Sequence, residues 1–278
     1  MSKKILAAFD GTRYSEGASK YAIQKAKVTG SLLIGVFIQD IRYLNYTYAY
    51  AWDQPFIDFS SIETAQKEEK EKINLNIKLF HRACEESGVK HKVHLDKGVP
   101  LQELLNESAF SDLIIIDSHT SFFSLGDNNP SPFLKDFLAD SHCPVLIVPH
   151  QQISFDKAVL CYDGGPSSVF AVKQFSYLFR EMEKTRTIVV SVNQQSSNHI
   201  KDGHNFKDLM HCHFQNVEYE LLHGNAEQEL INYLKINGEN TLVVMGAYGR
   251  SSLSRMFHQS LSNRVIKEMS IPVFITHQ

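Results

Sequence analysis

The chain has 278 residues, of which 43% are hydrophobic and 21% are charged, and its formal net charge is −3. This length predicts two domains, since one domain usually takes roughly 100–200 residues. The small net charge argues against a nucleic-acid or anionic-membrane partner, and no window approaches the roughly 18 apolar residues of a membrane span. The four cysteines lack CxxC spacing, which favours free thiols in a reducing compartment and hence a cytoplasmic protein.

Apolar runs bounded by turn residues alternate with amphipathic stretches along the first half of the chain, which is the pattern of an α/β fold. The strands predicted there are 5–9, 32–38, 90–95, 113–116 and 144–149. The helices predicted there are 15–28, 62–87, 101–109 and 133–139. The second strand is almost continuously apolar, as expected for a parallel strand that is buried on both faces.

The same order of elements begins again near residue 156. KAVLCYDGG in the second half matches KKILAAFDG in the first, which aligns Asp163 with Asp10. The two halves end on the matching stretches SHCPVLIVPH and MSIPVFITHQ. Between these ends the predicted strands are 187–192, 217–222 and 241–245. The predicted helices are 167–179, 205–213, 226–236 and one more before the closing strand.

An internal repeat of this size determines the architecture before any motif does. Each half reads β-α-β-α-β-α-β-α-β, and right-handed crossovers place the helices on both faces of a parallel sheet. We therefore predict two tandem, doubly wound, parallel five-stranded α/β domains over 1–150 and 151–278. The first domain has an insertion at 39–60, after its second strand.

The most specific motif follows the fourth strand of the second half, in VVMGAYGRSSLSRMFHQSLSNRVIKEMSIPVFI. Gly246 and Gly249 are separated by two residues, and nine further residues lead to Gln259 and Ser260. Glycines at such positions let the backbone turn tightly and bring bare N–H groups to a phosphate. A helix beginning near Ser260 would direct its N-terminal amides to the same place. Ligands of open α/β sheets bind at this topological switch point.

Two units that each open with strand-Asp and close with helix-Pro-strand resemble the universal stress protein family over nearly the whole chain. The resemblance implies the adenine-nucleotide α-hydrolase-like strand order 3-2-1-4-5 and a binding or regulatory role in stress response. ATP-binding members carry a glycine, two residues, a second glycine, nine residues and then Gly-Ser or Gly-Thr. Gly246, Gly249 and Ser260 fit this pattern, and Gln259 replaces the third glycine.

The resemblance implies that the second domain binds ATP or AMP, with Mg²⁺ present only if ATP binds. Asp163 would then contact the nucleoside, and the backbone at Val192 would hold the adenine. Arg250 would add a cation beside the phosphates. Gln259 leaves two alternatives open, because its side chain either blocks the pocket or donates an amide hydrogen bond to the ligand.

The first domain has lost more of the motif. Asp117 and Thr120 stand where the two glycines are expected. A carboxylate at this position would repel a phosphate, so we expect no ATP there. Asp10 is predicted to form an Asp-Gly turn beside a helix-capping residue.

The insertion of the first domain is rich in aromatic residues. It is interpreted as a segment packed on its own or the sister domain, with a lid over a small-molecule pocket or a protein-binding patch as the alternatives. The residues concerned are Tyr43, Tyr46, Tyr48, Tyr50, Trp52, Phe56 and Phe59.

The rival functions are a weak ATP hydrolase or nucleotidyl-transfer enzyme, and a non-nucleotide binder under the aromatic insertion. Phosphoryl chemistry needs a positioned nucleophile and charge neutralisation, and the sequence offers Arg250 and Asp163 without an evident base. His211 and His213 alternate along a helix and so do not face each other, which argues against a metal site. We therefore assign no catalytic residue and no metal ligand.

The two domains are expected to pack through their final strands as an intramolecular pseudo-dimer. This arrangement would mimic the dimer that single-domain relatives form, and a homodimer of the whole chain is a further expectation. Apart from an adenine nucleotide, no partner is identified, and neither nucleic acid nor membrane is expected.

Overall fold

The structure is a computed structural model that describes residues 2–41, 59–122, 129–151, 154–193, 199–246 and 261–276. It divides into two compact units, Met1–Cys143 and Pro144–Gln278. Both units are layers of helices on a mostly parallel sheet, so the predicted α/β class is confirmed. In the part of the chain that the structure describes, no helix is both long and apolar enough to cross a membrane.

The first unit has four parallel strands in the order β3-β2-β1-β4. The strands are β1 (Lys4–Asp10), β2 (Leu32–Asp40), β3 (His91–Gly98) and β4 (Leu113–Asp117). The helices are α1 (Glu16–Thr29), α2 (Phe59–Glu86), α3 (Pro100–Ser108) and α4 (Pro132–Asp140). Because β2 continues to Asp40 and α2 begins at Phe59, the ends of the predicted insertion are regular structure. Most of its aromatic residues fall in 42–58, outside the described residues.

The second unit repeats this order as β8-β7-β6-β9-β10, all parallel, which is the predicted order 3-2-1-4-5. Its strands are β5 (Val145–Val148), β6 (Lys157–Cys161), β7 (Arg186–Asn193), β8 (Val217–His223), β9 (Thr241–Gly246) and β10 (Val273–Thr276). Its helices are α5 (Pro166–Leu178), α6 (Gly203–His213), α7 (Ala226–Asn237) and a last helix described over 261–268.

The strand β5 ends the first sequence repeat but belongs to the second compact unit. It pairs antiparallel with β10, with Val145 opposite Ile275 and Ile147 opposite Val273. The boundary between the compact units therefore falls between Cys143 and Pro144 along the chain, whereas the boundary between the sequence repeats falls at 150/151.

The central strands carry the core of each unit because nearly all of their side chains are apolar. Every residue of β4 is buried, as are the first five residues of β9. In the first unit the rings of Phe9 and Phe37 stack with centroids 4.9 Å apart. In the second unit Phe175 meets Phe274 edge to face at 5.6 Å. The carboxyl ends of the strands are thus anchored by a buried apolar core.

Helix caps are built at the carboxyl edge of each sheet, where the helices begin. Ser15 caps α1, and its Oγ accepts the Ala18 amide at 3.1 Å. Asn225 caps α7 and accepts the Gln228 amide at 3.1 Å. Each cap satisfies a backbone N–H that the first helical turn leaves without an internal partner. The capping side chains of Ser15 and Asn225 therefore lie beside the loops that follow the strands.

Candidate functional site

A cavity that is partly open to solvent lies at the carboxyl edge of the second unit's sheet and encloses about 480 Å³ of empty space when the open solvent at its mouth is included. The chain leaves β6 towards β7 on one side and leaves β9 towards β10 on the other, so the gap between β6 and β9 is the switch point of this sheet. The described residues that line it are Cys161, Tyr162, Asp163, Ser168, Val190, Val192, Ala226, Leu230, Met245, Gly246 and Leu261.

Asp163 lies at the mouth of this cavity, in the turn between β6 and α5. Its Oδ1 accepts hydrogen bonds from the Gly165 amide and the Ser168 hydroxyl, both at 2.7 Å. Gly164, which lies between Asp163 and Gly165, has a φ of +77°, a conformation that glycine adopts without strain. The turn therefore fixes the Asp163 carboxylate at the rim.

Gly246 ends β9 and touches the beginning of α5. A Cβ built on Gly246 would lie 2.7 Å from the Ser168 amide nitrogen and closer still to the Ser167 carbonyl. These contacts are shorter than real Cβ atoms make, and backbone atoms cannot move aside cheaply. Glycine at this position therefore lets α5 approach the sheet, in addition to the backbone exposure for which the sequence singled it out.

The walls of the cavity are largely apolar, with Val190 and Val192 of β7 opposite Leu230 of α7. The ring of Tyr162 is held in place, because it stacks on Phe206 with centroids 3.7 Å apart and its hydroxyl donates to the Lys201 carbonyl at 3.0 Å.

Both ionisable side chains of the inner wall remain protonated. Burial raises the pKa of the Tyr162 hydroxyl, and the nearby carboxylates of Asp202 and Asp163 raise it further. Burial also raises the pKa of Cys161 to about 12, with a smaller contribution from Asp163. Because the thiolate is the nucleophilic form of cysteine, Cys161 serves as a small apolar wall.

Two helices form the remaining wall of the cavity. Ala226 and Leu230 are one turn apart on α7, and Leu261 belongs to the last helix. Arg264 of the last helix reaches Glu227 of α7, with its Nη1 atom 3.2 Å from the carboxylate Oε1. An ion pair thus links the two helices beside the cavity.

The cavity brings together three of the residues predicted from the sequence, namely Asp163, Val192 and Gly246. The other four lie outside the described residues, so their roles, and the effect of the glutamine, stay predictions. These four are Gly249, Arg250, Gln259 and Ser260.

Sequence reasoning missed Ser168 and the helical wall. Ser168 had a usable signal, because it follows Asp163 by the same five residues that separate Ser15 from Asp10. Ala226, Leu230 and Leu261 gave no signal, because an apolar residue on a helix has the same pattern whether it lines a cavity or the core.

The corresponding edge of the first unit is organised differently. Asp10 forms the predicted turn, with its Oδ1 accepting the Thr12 amide at 3.0 Å and the Thr12 hydroxyl at 2.9 Å. Asp117 ends β4 and is 3% exposed. Its carboxylate accepts the Ser15 hydroxyl at 2.5 Å and the His119 amide at 2.7 Å. A buried carboxylate thus occupies the end of the strand that matches β9.

The fold and the cavity define a doubly wound α/β protein with an open pocket at the switch point of the second unit's sheet. The sequence profile of the universal stress protein family matches residues 1–149 and 211–277. The chain belongs to the universal stress protein family, which confirms the resemblance in the sequence.

Two curated relatives illustrate the match. A universal stress protein of Synechocystis is 24% identical over 285 residues, covering 98% of each chain. One of Methanocaldococcus jannaschii is 27% identical over 151 residues, covering 52% of this chain and 81% of the relative. The first relative therefore shares the two-unit length of this chain.

A solved structure shows the same fold. The crystal structure of a universal stress protein from Archaeoglobus fulgidus has a TM-score of 0.73 and 18% sequence identity, and the match covers 100% of this chain and 99% of that one. At this identity the likeness establishes the architecture of the chain.

Proposed function

We propose that the second unit binds an adenine nucleotide, ATP or AMP, in the cavity between β6 and β9, and that the protein acts as a binding or regulatory member of the stress-protein family. The observation that carries this proposal is the position of Asp163, Val192 and Gly246 around one cavity. The family resemblance independently implies a nucleotide at these three residues.

The chemistry of the lining supports a nucleoside. Apolar side chains from β7 and α7 provide surfaces for a planar base, and Val192 places the end of β7 at the cavity. The Asp163 carboxylate at the rim is a suitable acceptor for ribose hydroxyls, since hydrogen bonds to a charged acceptor are about twice as strong as neutral ones. Mg²⁺ would accompany ATP and is not required for AMP.

The lining favours binding over turnover. Phosphoryl transfer needs a positioned nucleophile and neutralisation of the phosphate charges. Among the described lining residues Asp163 is the only carboxylate, and Lys, Arg and His are absent from them. Cys161 is held as the thiol by its raised pKa. We therefore propose a ligand-holding protein and keep weak ATP hydrolysis as an outcome of the test.

The test is equilibrium dialysis of protein that has been unfolded, freed of bound nucleotide and refolded. The wild type is expected to bind ATP or AMP with millimolar or tighter affinity. Asp163→Asn should weaken binding by about tenfold, the equivalent of one hydrogen bond to a charged group. Asp10→Asn is the matched control, because it changes the same turn position in the unit where no nucleotide is expected.

The absence of binding by the wild type would remove the proposal. Equal weakening by Asp163→Asn and Asp10→Asn would show that the ligand does not contact Asp163. ATP hydrolysis that disappears in Asp163→Asn would replace the binding role by an enzymatic one.

A further inference from the structure

Four charged residues connect α7 with the last helix in the second unit. Arg264 pairs with Glu227 at 3.2 Å through Nη1 and with Glu268 at 2.6 Å through Nε. Lys235 reaches the other oxygen of Glu268 at 2.8 Å. Hydrogen bonds from Arg264 and Lys235 lower the pKa of Glu268 to about 2. Arg264 is the member of this network that contacts α7 at its beginning.

The pair of Arg264 and Glu227 lies beside the cavity. Glu227 directly follows Ala226, and Arg264 is three residues after Leu261, on the same side of its helix. Ala226 and Leu261 both line the cavity. The side chains of the pair are only 31% and 34% exposed, so solvent screens them less than a fully exposed pair.

The pair of Lys235 and Glu268 makes the same connection at the other end of α7. Lys235 is nine residues after Ala226, about 13 Å along the helix axis. It therefore joins the same two helices away from the cavity. The two pairs offer a matched comparison, since both cross-link α7 to the last helix and only one does so at the cavity wall.

We propose that Arg264 is a positioning residue for the ligand of the second unit. Its ion pair with Glu227 holds the first turn of α7 against the last helix and so fixes the spacing between the walls at Ala226 and Leu261. A wall that is already in place lowers the ordering cost of binding, which raises the affinity. The effect on ligand affinity rests on the proposed function, whereas the positioning of the cavity wall rests only on the contacts between the two helices.

The test is a double-mutant cycle on the full chain with Arg264→Gln, Glu227→Gln and the double variant. Each single change is expected to weaken ATP or AMP binding by about fivefold, the upper range for a partly exposed pair. The double variant should bind no more weakly than Arg264→Gln, because that change already removes the partner of Glu227. Arg264→Lys keeps the charge and should stay within about twofold of the wild type, as should the control Lys235→Gln.

Hydrogen exchange of the ligand-free variants provides the second measurement. Peptides covering the first two turns of α7 should exchange faster in Arg264→Gln and Glu227→Gln, and at the wild-type rate in Lys235→Gln. If the wild type binds no nucleotide while these rates change, the proposed function fails and the positioning of the wall stands. Unchanged affinity and unchanged exchange in Arg264→Gln would overturn the inference and leave the proposed function intact.

Discussion

In the first unit the strand β4 ends in Asp117, whereas in the second unit the matching strand β9 ends in Gly246. The Asp117 carboxylate is buried and bonded to Ser15 at the start of α1. The backbone of Gly246 meets the start of α5 directly, and a cavity remains at this edge. The comparison teaches that the same strand end carries a buried carboxylate in one unit and a glycine that lines a cavity in the other.

The serine five residues after Asp10 or Asp163 bonds differently in the two units. Ser15 donates its hydroxyl to Asp117 across the edge, 2.5 Å away. Ser168 has no carboxylate opposite it at Gly246, and it donates to Asp163 of its own turn at 2.7 Å. The same side chain therefore bonds the carboxylate at the end of the fourth strand in one unit and the rim carboxylate in the other.

The strongest test of the comparison is Gly246→Ala. We expect it to lower the free energy of unfolding by about 3 kcal/mol, the upper range for overpacking, because the new Cβ would collide with the backbone at Ser167 and Ser168. Urea unfolding measures the loss. Gly203→Ala is the control, since a Cβ there has its nearest neighbour at 3.8 Å and should change stability by less than about 0.5 kcal/mol. Equal losses of unfolding free energy in the two variants would contradict the close approach of α5 to Gly246.

The next effect in size concerns the buried Asp117 carboxylate of the first unit. Asp117→Ala removes a buried carboxylate and leaves the Ser15 hydroxyl and the His119 amide without their acceptor, which should cost about 2 kcal/mol. The control Asp112→Ala removes an exposed carboxylate that accepts the Lys4 amide at 2.7 Å and should cost less than about 1 kcal/mol. Denaturant unfolding compares the two variants. If Asp117→Ala lowered the free energy of unfolding by no more than the control, the Asp117 bonds would not stabilise this edge.

The architecture was readable from the sequence because hydrophobic burial and turn chemistry leave local patterns. β4 and β9 contain the unbroken, buried apolar runs 113–116 and 242–245, and Asp10 and Asp163 mark the turns that follow the first strand of each repeat. The repeat then supplied the strand order through the family resemblance. The pairing of β5 with β10 joins the final strands of the two repeats, and packing through these strands was expected only from the family resemblance, because an antiparallel partner far along the chain leaves no local mark on either strand.

The site was readable only in part. Asp163 and Gly246 stand out as polar or flexible residues at strand ends, where ligands of such sheets bind. Ser168 could have been found by aligning the two repeats. The wall from α7 and the ion pair of Glu227 with Arg264 depend on how two helices pack, and charged residues on a helix surface carry no information about their partners across space.

A smaller effect separates the two serines. Ser15→Ala removes the N-cap of α1 and the donor to Asp117, so it should cost about 1.5 kcal/mol. Ser168→Ala removes bonds to Asp163 and the Gly165 carbonyl, but Asp163 keeps the Gly165 amide, so the cost should be about 0.5 kcal/mol. Thermal and urea unfolding rank the variants. The reverse order would show that the second edge, and not the first, relies on its serine.

The smallest expected effect is a difference in pH dependence between a carboxyl of each unit. Burial raises the pKa of Asp10 above its ordinary value of 3.8, although the Thr12 bonds and Arg13 oppose this. A raised pKa in the folded state means that stability is gained as the pH falls through it and is lost as the pH rises. Asp10→Asn, which keeps acceptors for Thr12, should therefore be slightly more stable than the wild type at pH 7, and this advantage should vanish below pH 3.8.

Glu268 in the second unit is expected to respond with the opposite sign. Its pKa is lowered from 4.5 to about 2 by hydrogen bonds from Arg264 and Lys235, so its stabilising contribution is present above pH 4.5 and is lost as the pH falls towards 2. Glu268→Gln should thus be less stable than the wild type at pH 7 and equal to it near pH 2. Urea midpoints of both variants between pH 2 and 8 provide the measurement. Curves of the same sign would mean that burial does not govern Asp10, or that the Arg264 network does not form in solution.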